Sequence, residues 1–419
     1  MMQDDFITQY LEYVGETECP LFYHRWCCIS MIGAYLGRQY SFNLGHFELH
    51  PNKYIMLIGS PGTRKSTAIK IAKGVLVNSG YSFMSADKSS KEKFMLDLAG
   101  EEKDDVSVDD ILDKNLWGSG SLDGEGQSAA EMYIACDEFN TFIGNGNIEF
   151  ISLLGDLWDY NGIFKNRIKT GKSVSISNPT ISILGGNTPV NFSRAFPPEI
   201  IGQGFFSRLL LIHGEPTGKR ITFPPKPSIA ATNSIVSALQ RIKMTCMGNA
   251  ELTETASKLL DKIYKTWGGI DDFRFESYAN RRFTHLLKLC LIVSAAYYSN
   301  NITEQHVIYA HTVLTHTEHL MPKALGEFGK SRNSDITQKV MQILNGTEVV
   351  LNMKDLWEHV HKDLEKPADL GDLLRNLALA GKIQGVDGGY LPNKKVIEQV
   401  DSDVLNYSIL TDEEKEMSK

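Results

Sequence analysis

The stretch from Tyr54 to Leu76, YIMLIGSPGTRKSTAIKIAKGVL, decides the fold of this chain. It opens on a continuously apolar run, YIMLI, which is typical of a strand that is covered on both faces in a parallel sheet. A glycine-containing loop follows, and the residues from Lys65 onward have the spacing of an amphipathic helix. This order predicts a phosphate site, because loop amides and the positive end of the helix dipole meet at one point.

The loop itself, GSPGTRKS, departs at one position from the phosphate-binding pattern GxxxxGK[ST], since Arg64 stands where the pattern has its last glycine. Lys65 is expected to reach the β and γ phosphates of ATP, and the Ser66 hydroxyl is expected to bind Mg2+. The alternative is an ordinary Gly-Pro turn that enters a helix. The predicted nucleotide-binding residues are Gly59, Ser60, Pro61, Gly62, Thr63, Arg64, Lys65, Ser66 and Thr67.

Two adjacent acids, Asp137 and Glu138, follow a second apolar run, MYIAC, which begins at Met132. A carboxylate at a strand end can hold Mg2+ through water, and a second one beside it can polarise the water that attacks the γ-phosphate. We therefore expect Asp137 to bind the metal together with Ser66, and Glu138 to be catalytic. ATP and Mg2+ are the predicted cofactors. A solvated strand end is the alternative.

Two further positions complete the predicted catalytic set. Asn187 ends a third apolar run, TISILGG, where its amide can orient the same water; the alternative is a turn asparagine before Pro189. Arg208 comes directly before the apolar run LLLI, a position from which an arginine can point into a neighbouring subunit and neutralise transition-state charge. A surface salt bridge is the alternative for this arginine. The predicted catalytic residues are Lys65, Asp137, Glu138, Asn187 and Arg208.

The alternation of strand, loop and helix predicts an α/β fold with a parallel sheet and flanking helices. At 419 residues the chain is longer than single cores usually grow, so several modules are expected. The charged end TDEEKEMSK is expected to lack fixed structure. The predicted parts are a helical lead-in over 1–50, an α/β ATPase core over 51–225 with an acidic insertion over about 87–131 and a basic hairpin over about 163–178, a helical lid over 226–330, a winged-helix module over 334–396, and a tail over 397–419.

Composition restricts the classes of function that need to be considered. The formal net charge is -8, which argues against a protein that coats nucleic acid over its whole surface, so any nucleic-acid contact must be local. The sequence has no apolar run of the roughly 18 residues that a membrane span needs, so no membrane contact is predicted. The first residues, MMQDDFITQYLEYV, lack the basic start of a secretory signal, which predicts a cytoplasmic protein.

One local candidate for a nucleic-acid contact exists. Between Asp159 and Glu199 the chain has no acidic residue, and the segment IFKNRIKTGKSVSISNP alternates around Thr170 and Gly171 as a β-hairpin does. Its cations suit phosphates, and the scarcity of aromatic residues predicts contact with the nucleic-acid backbone without base stacking. The alternative is a basic hairpin that packs on an acidic face of a neighbour. The predicted DNA-binding residues are Lys165, Arg167, Lys169 and Lys172.

In their order and spacing these motifs resemble the minichromosome-maintenance helicases and the related phage and plasmid AAA+ helicases. GSPGTRKS is similar to that family's Walker A motif, CDEFNTF to its Walker B motif with Asn140 in place of the second acid, SILGGNTP to its sensor 1 strand, and FFSR to its arginine-finger motif. ANRRFTHLLKL is similar to the sensor 2 helix, so the resemblance implies that Arg281 or Arg282 binds the nucleotide. It also implies an AAA+ core whose basic hairpin projects into the channel of a ring.

Taken together, the sequence predicts an ATP-dependent, ring-forming DNA helicase or translocase that acts in DNA replication. The expected partners are single-stranded or forked DNA, further copies of the chain in a homo-hexamer, and other replication proteins. If the chain is encoded by a phage, the expected location is the cytoplasm of the bacterial host. Two alternatives stay open: a nucleotide-switched initiator or helicase loader that binds DNA without unwinding it, and a protein-remodelling AAA+ ATPase.

Overall fold

The computed structural model describes residues 5–100, 130–167, 173–196, 200, 204–326, 332–347, 349–364, 366–379, 383–392 and 404–417. The protein is an α/β structure in which a four-stranded, all-parallel sheet is flanked by helices, an arrangement compatible with a P-loop-like core. Within the described part of the chain, no helix is both long enough and apolar enough to cross a membrane.

The N-terminal region contributes to the main hydrophobic core. Every residue from Phe22 to Leu36 in its second helix is buried. That helix packs so closely on the chain ahead of the sheet that a Cβ on Gly33 would lie 2.4 Å from the carbonyl oxygen of Pro51. The elements of this region are α1 (Phe6–Tyr13), α2 (Leu21–Leu36), β1 (Tyr40–Leu44) and β2 (Phe47–Leu49).

The parallel sheet is built from the apolar runs that the sequence analysis singled out. Its strands are β3 (Tyr54–Ile58), β4 (Glu131–Cys136), β7 (Thr180–Asn187) and β8 (Leu209–His213), and they lie in the order β4-β7-β3-β8. Because both faces are covered, every residue of β3 and β7 is buried. Met84 forms a parallel bridge with Tyr133 of β4, so a further segment pairs with the β4 edge of the sheet. The prediction of a parallel sheet is confirmed.

Helices and one hairpin fill the connections between these strands. They are α3 (Lys65–Asn78), α4 (Lys91–Ala99), α5 (Phe139–Ile143), α6 (Ile148–Asp156), β5 (Ile163–Asn166) with β6 (Val174–Ser177), and α7 (Pro189–Ala195). Helix α4 lies inside the stretch predicted as an acidic insertion, yet it is capped by Ser90 and buries Phe94, Met95 and Leu98. The remainder of that stretch, 101–129, lies outside the described residues.

The region from 229 to 325 is predominantly helical, as its periodicity predicts, and it packs on the sheet. His285 lies 3.1 Å through Nε2 from the carbonyl oxygen of Ser207, just ahead of β8. Its elements are α8 (Ile229–Thr245), β9 (Gly248–Asn249), β10 (Glu251–Leu252), α9 (Glu254–Thr266), α10 (Glu276–Ala279), α11 (Arg282–Ala296), β11 (Asn301–Ile302) and α12 (Glu304–Leu325).

A smaller unit with its own hydrophobic core follows. Val340, Leu356, Leu370, Leu374 and Ile383 are among the residues of this second core. The unit consists of three helices and then an antiparallel hairpin, namely α13 (Arg332–Asn345), α14 (Met353–Val360), α15 (Pro367–Leu379), β12 (Ile383–Val386) and β13 (Gly389–Pro392).

The described part of the charged C-terminal segment, 411–417, has a fixed structure, which corrects the sequence prediction. Residues Asp412–Glu416 form a short helix, α16, and Glu414 is completely buried. The Arg25 guanidinium of α2 binds both oxygens of this carboxylate, at 2.6 and 2.7 Å. The acidic composition of this segment is typical of a solvated tail. The sequence prediction is wrong because the arginine that neutralises Glu414 lies 389 positions away and leaves no local signal.

Candidate nucleotide-binding site

The loop between β3 and α3 turns sharply at two positions. Gly62 has φ 90° and Arg64 has φ 61°, so both lie in the left-handed region that glycine adopts most readily. Arg64 occupies the place of the last glycine of the phosphate-binding pattern, and its backbone adopts the conformation for which the pattern has that glycine. The loop therefore has the shape expected of a phosphate loop despite the substitution.

Lys65 lies inside this loop. Its Nζ donates to the carbonyl oxygens of Gly59 and Ser60, at 2.8 and 3.0 Å, and to Thr63 Oγ1 at 3.0 Å. Burial lowers the pKa of Lys65, while the nearby Glu138 carboxylate opposes that change. The loop thus surrounds the ammonium group at the position where a phosphate chain would pass.

The N-terminal end of α3 supplies further donors. Among the described residues, no side chain caps this helix at Arg64, so none of them occupies the first-turn amides of Lys65 and Ser66 as a capping group. A helix of this length directs its positive dipole end at the loop, which favours an anion there. Ser66 is half-buried in the same turn, whereas Ser60, Pro61 and Thr67 are exposed.

The two predicted acids follow β4 at the same edge of the sheet. Asp137 is 37 % exposed and receives an ion pair from Lys70 of α3, with Nζ to Oδ2 at 3.1 Å. Glu138 is exposed beside it. A cavity of about 460 Å³ between α3 and β4 is lined by both acids and by Lys70, Lys73 and Asp87, among others. The structure therefore places the acid pair next to the helix that carries Lys65 and Ser66.

Asn187 lies between the phosphate loop and the acids. In the register of the sheet it is opposite Ile58, the last residue of β3, and Gly185 is opposite Cys136, the last residue of β4. Its side chain is buried, and neither the amide nitrogen nor the amide oxygen has a hydrogen-bond partner within the described protein. A buried, unpaired amide is costly, so this side chain is suited to bind a ligand or its water.

These residues fit ATP and Mg2+ in their chemistry. The loop and Lys65 offer donors for phosphate oxygens, Ser66 and Asp137 offer the oxygen ligands that Mg2+ prefers, and the unpaired amide of Asn187 lacks a partner that a ligand or water would provide. All of them lie where parallel strands of an α/β sheet end, which is the edge at which such sheets bind ligands.

Arg208 and Arg281 lie elsewhere. Arg208 precedes β8, whose first residue, Leu209, is opposite Tyr54 at the start of β3, so about 13 Å of strand separates it from the phosphate-loop edge. The guanidinium carbons of the two arginines lie 5.8 and 5.9 Å from the ring centroid of Trp158. Burial, and then the neighbouring Arg281, lower the pKa of Arg208, and its Nε is buried without a partner in the described protein. The structure thus groups two predicted arginines, away from the loop of their own chain.

Arg282 has a different environment from Arg281. It is 2 % exposed and its Nε donates to Glu318 Oε1 at 2.8 Å, while its guanidinium carbon lies 4.9 Å from the Trp267 ring centroid. This side chain forms part of the packing between α11 and α12. Of the two arginines named from the sequence, Arg281 is therefore the one without a buried ion pair among the described residues.

The basic hairpin is present as an antiparallel pair, β5 with β6. Val174 and Ile176 are buried on one side, and Lys165 and Arg167 are exposed. Its base is closed by Asn178, which accepts from the Gly162 amide at 2.7 Å. Lys169 and Lys172 lie outside the described residues.

Two residues of the site region carry no signal in the sequence. The Tyr23 hydroxyl, from α2, donates to the carbonyl oxygen of Ile58 at 2.8 Å and also lies 3.1 Å from that of Gly214. A Cβ on Gly59 would lie 2.4 Å from this hydroxyl, so Tyr23 packs directly under the start of the loop. Glu18 binds Arg64 through a side-chain ion pair. Both contacts are made across long sequence separations, which no local pattern reveals.

Comparison of the chain with protein-family models and with the curated proteins finds no match.

Proposed function

We propose that the protein binds and hydrolyses Mg-ATP at the edge of the sheet formed by Lys65, Asp137, Glu138 and Asn187. The observation that carries this proposal is the convergence of three strand ends. The phosphate loop leaves β3, the acid pair leaves β4, and the unpaired amide of Asn187 ends β7 between them. An ordinary Gly-Pro turn would not explain why the loop, the acid pair and the unpaired amide of Asn187 lie at the same edge of the sheet.

Each residue has a role that its chemistry supports. Lys65 and the loop amides bind the phosphates, while Glu138 orients the attacking water and accepts its proton, with Asn187 holding the same water. Mg2+, held by Ser66 and Asp137, would neutralise charge on the phosphates. Because little covalent chemistry is required of the protein in phosphoryl transfer, positioning and charge are the main contributions.

We further propose that the active form is a ring, a homo-hexamer, in which Arg208 and Arg281 approach the ATP of the adjacent subunit. Arg208 precedes the amino end of β8, so it does not lie beside the loop of its own chain. Two arginines that face one aromatic ring, one of them with a buried unpaired Nε, form a site that an anion would stabilise. Arginine supplied in this way accelerates hydrolysis by about three to five orders of magnitude in other nucleotide hydrolases.

The coupled activity that we propose is translocation along DNA, and strand separation, during replication. Lys165 and Arg167 are exposed on the hairpin, and β6 leads directly into β7, which runs about 23 Å to Asn187 at the nucleotide edge. One strand thus joins a cationic, phosphate-binding element to the hydrolysis site. In this proposal the sheet is an AAA+ core, the region 226–330 is its helical lid, and the unit of α13 to β13 is a winged-helix module.

Two other functions are compatible with the same nucleotide site. A switched initiator or loader would bind DNA but hydrolyse too slowly to move along it. A protein-remodelling ATPase would use channel loops that usually carry an aromatic side chain, whereas the exposed hairpin side chains here include cations. The hairpin cations favour a nucleic-acid substrate.

The experiment that separates these functions compares ATP hydrolysis with and without forked DNA. Variants Lys165→Ala with Arg167→Ala, and Lys169→Ala with Lys172→Ala, should lose stimulation by DNA while basal hydrolysis persists. Lys226→Ala, which alters an exposed lysine outside the hairpin sequence, is the matched control and should be stimulated like the wild type. Stimulation that survives in both hairpin variants would remove the hairpin from the mechanism.

A further inference from the structure

The phosphate loop contains an unfavourable backbone position. Arg64 has φ 61°, in the left-handed region. For a residue with a Cβ, the population of this conformation is lower than for glycine by a factor of roughly five to thirty. The penalty falls on the residue immediately before Lys65. A loop with arginine here needs a contact that holds the left-handed conformation, or it will spend much of its time in other shapes.

Glu18 makes that contact. Its Oε2 accepts from Arg64 Nε at 2.8 Å and lies 2.5 Å from Nη2, so one carboxylate oxygen bridges two nitrogens on one edge of the guanidinium. The arginine side chain is 54 % exposed and the glutamate side chain 22 % exposed, so an isolated pair of this kind would contribute little. The value of the pair depends on how firmly Glu18 itself is held.

Glu18 is fixed from its other side. Its Oε1 accepts the Ile221 amide at 2.8 Å, and its own carbonyl oxygen accepts the Thr217 hydroxyl at 2.9 Å. The Ile221 amide, and then the Arg64 side chain, lower the pKa of Glu18, in keeping with a carboxylate that is ionised when these bonds form. The segment 214–221 follows β8 and is joined to β3, since the Gly214 amide donates to the Ile58 carbonyl oxygen at 3.1 Å. Glu18 therefore connects the phosphate loop to the chain beside it.

We propose that Glu18 is a positioning residue for the phosphate loop: acting through Arg64, it holds the left-handed turn that forms the nucleoside-triphosphate site. This inference rests on the ATP binding proposed above. In the described part of the chain, Glu18 contacts the loop through the guanidinium of Arg64, so it supports nucleotide binding without taking part in the reaction. In this chain the segment before α2 takes over the role that glycine has in the usual phosphate loop.

The test is a double-mutant cycle on the full chain, with ATP affinity measured by titration calorimetry and hydrolysis measured in parallel. Glu18→Ala should weaken ATP binding and raise KM by roughly five- to thirtyfold, the size of the left-handed penalty, with kcat within about twofold of the wild type. Arg64→Gly is the reference background of the cycle, and its own ATP affinity is measured first. The two changes combined should match Arg64→Gly alone, because glycine needs no restraint.

Two more variants make the result specific. Glu18→Gln keeps an oxygen for the Ile221 amide but loses the charge that Arg64 binds, so its ATP affinity should fall between those of the wild type and Glu18→Ala. Glu16→Ala removes an exposed acid two positions earlier and should leave binding unchanged. Thermal unfolding of each variant without nucleotide identifies any that fails to fold, in which case Glu18→Gln replaces Glu18→Ala in the cycle.

The outcomes separate this inference from the function on which it rests. If the wild type binds ATP and Glu18→Ala binds it equally well, the positioning role is overturned while the nucleotide site stands. If Glu18→Ala also weakens ATP binding in the Arg64→Gly background, Glu18 acts through Ile221 and not through Arg64. That result also overturns the proposal. If the wild type itself binds no ATP, the proposed function fails and the positioning role fails with it. Full suppression by Arg64→Gly is the result expected.

Discussion

Glu414→Gln is expected to release the C-terminal helix α16 from the core. The carboxylate is completely buried, Arg25 is 2 % exposed, and the pair is bonded through both carboxylate oxygens. Glutamine has nearly the same shape but can accept only one of these bonds, and it leaves the arginine charge uncompensated. Breaking a buried pair in this way costs about 3–5 kcal/mol. Undocking of α16 relieves the uncompensated arginine charge at the lowest cost in free energy. The undocked fraction should therefore rise by about a hundredfold to several thousandfold.

Amide hydrogen exchange of 407–416 measures this directly, because exchange there follows the population of the open form. We expect exchange to accelerate by that factor in Glu414→Gln, with little change in β3 and β7. Glu416→Gln, which alters an exposed acid of the same helix, should exchange like the wild type. Equal protection in Glu414→Gln and Glu416→Gln would show that the buried pair contributes nothing to the docking of α16.

The same pair predicts a dependence on pH. Burial alone would raise the pKa of Glu414, but the Arg25 guanidinium and the hydrogen bonds from Thr411 together more than offset burial and lower this pKa below the ordinary value of 4.5. A lowered folded-state pKa contributes stability that is complete above the unfolded value and is lost as the pH falls through the folded value. Protection of α16 in the wild type should therefore decline below about pH 4.5, and Glu414→Gln should show little of this decline.

Two further predictions concern the nucleotide edge. Gly186→Ala would put a Cβ 2.5 Å from the carbonyl oxygen of Asp137, so this acid must shift. We expect kcat/KM for ATP to fall at least about tenfold. The control is Gly74→Ala, whose Cβ would meet nothing within 4 Å, and this variant should keep full activity. Lys70→Met removes the cation that competes with Mg2+ for Asp137, so the Mg2+ concentration for half-maximal ATP binding should fall. The decrease should be no more than about fivefold because the ion pair is exposed. An unchanged Mg2+ requirement would exclude competition between Lys70 and Mg2+.

The features that the sequence predicts well are those in which neighbouring residues carry the information. The apolar runs that become β3, β4 and β7, and the polar residues at their ends, are local patterns, and parallel pairing then brings Lys65, Asp137 and Asn187 to one edge. Arg64 departs from the loop pattern, but the apolar run before it and the amphipathic segment after it form β3 and α3, as predicted.

The features that the sequence does not reveal depend on distant partners. Glu414 has the composition of a solvated tail until Arg25 is placed beside it, and α4 lies in a polar stretch although Phe94 and its neighbours are buried. Arg281 and Arg282 are adjacent and chemically identical, so only the ion pair with Glu318 distinguishes them. Such contacts are made in three dimensions and leave no periodicity or spacing to detect.

Steady-state ATP hydrolysis of the wild type, Glu138→Gln and Arg208→Ala, each with and without forked DNA, tests whether the protein is a DNA-stimulated ATPase. We expect the wild type to hydrolyse ATP and forked DNA to accelerate this hydrolysis. Both variants should lose at least about a hundredfold in kcat, one through the water-orienting acid and the other through the arginine supplied by the adjacent subunit. A wild type that hydrolyses no ATP, or a Glu138→Gln variant as active as the wild type, would contradict this expectation.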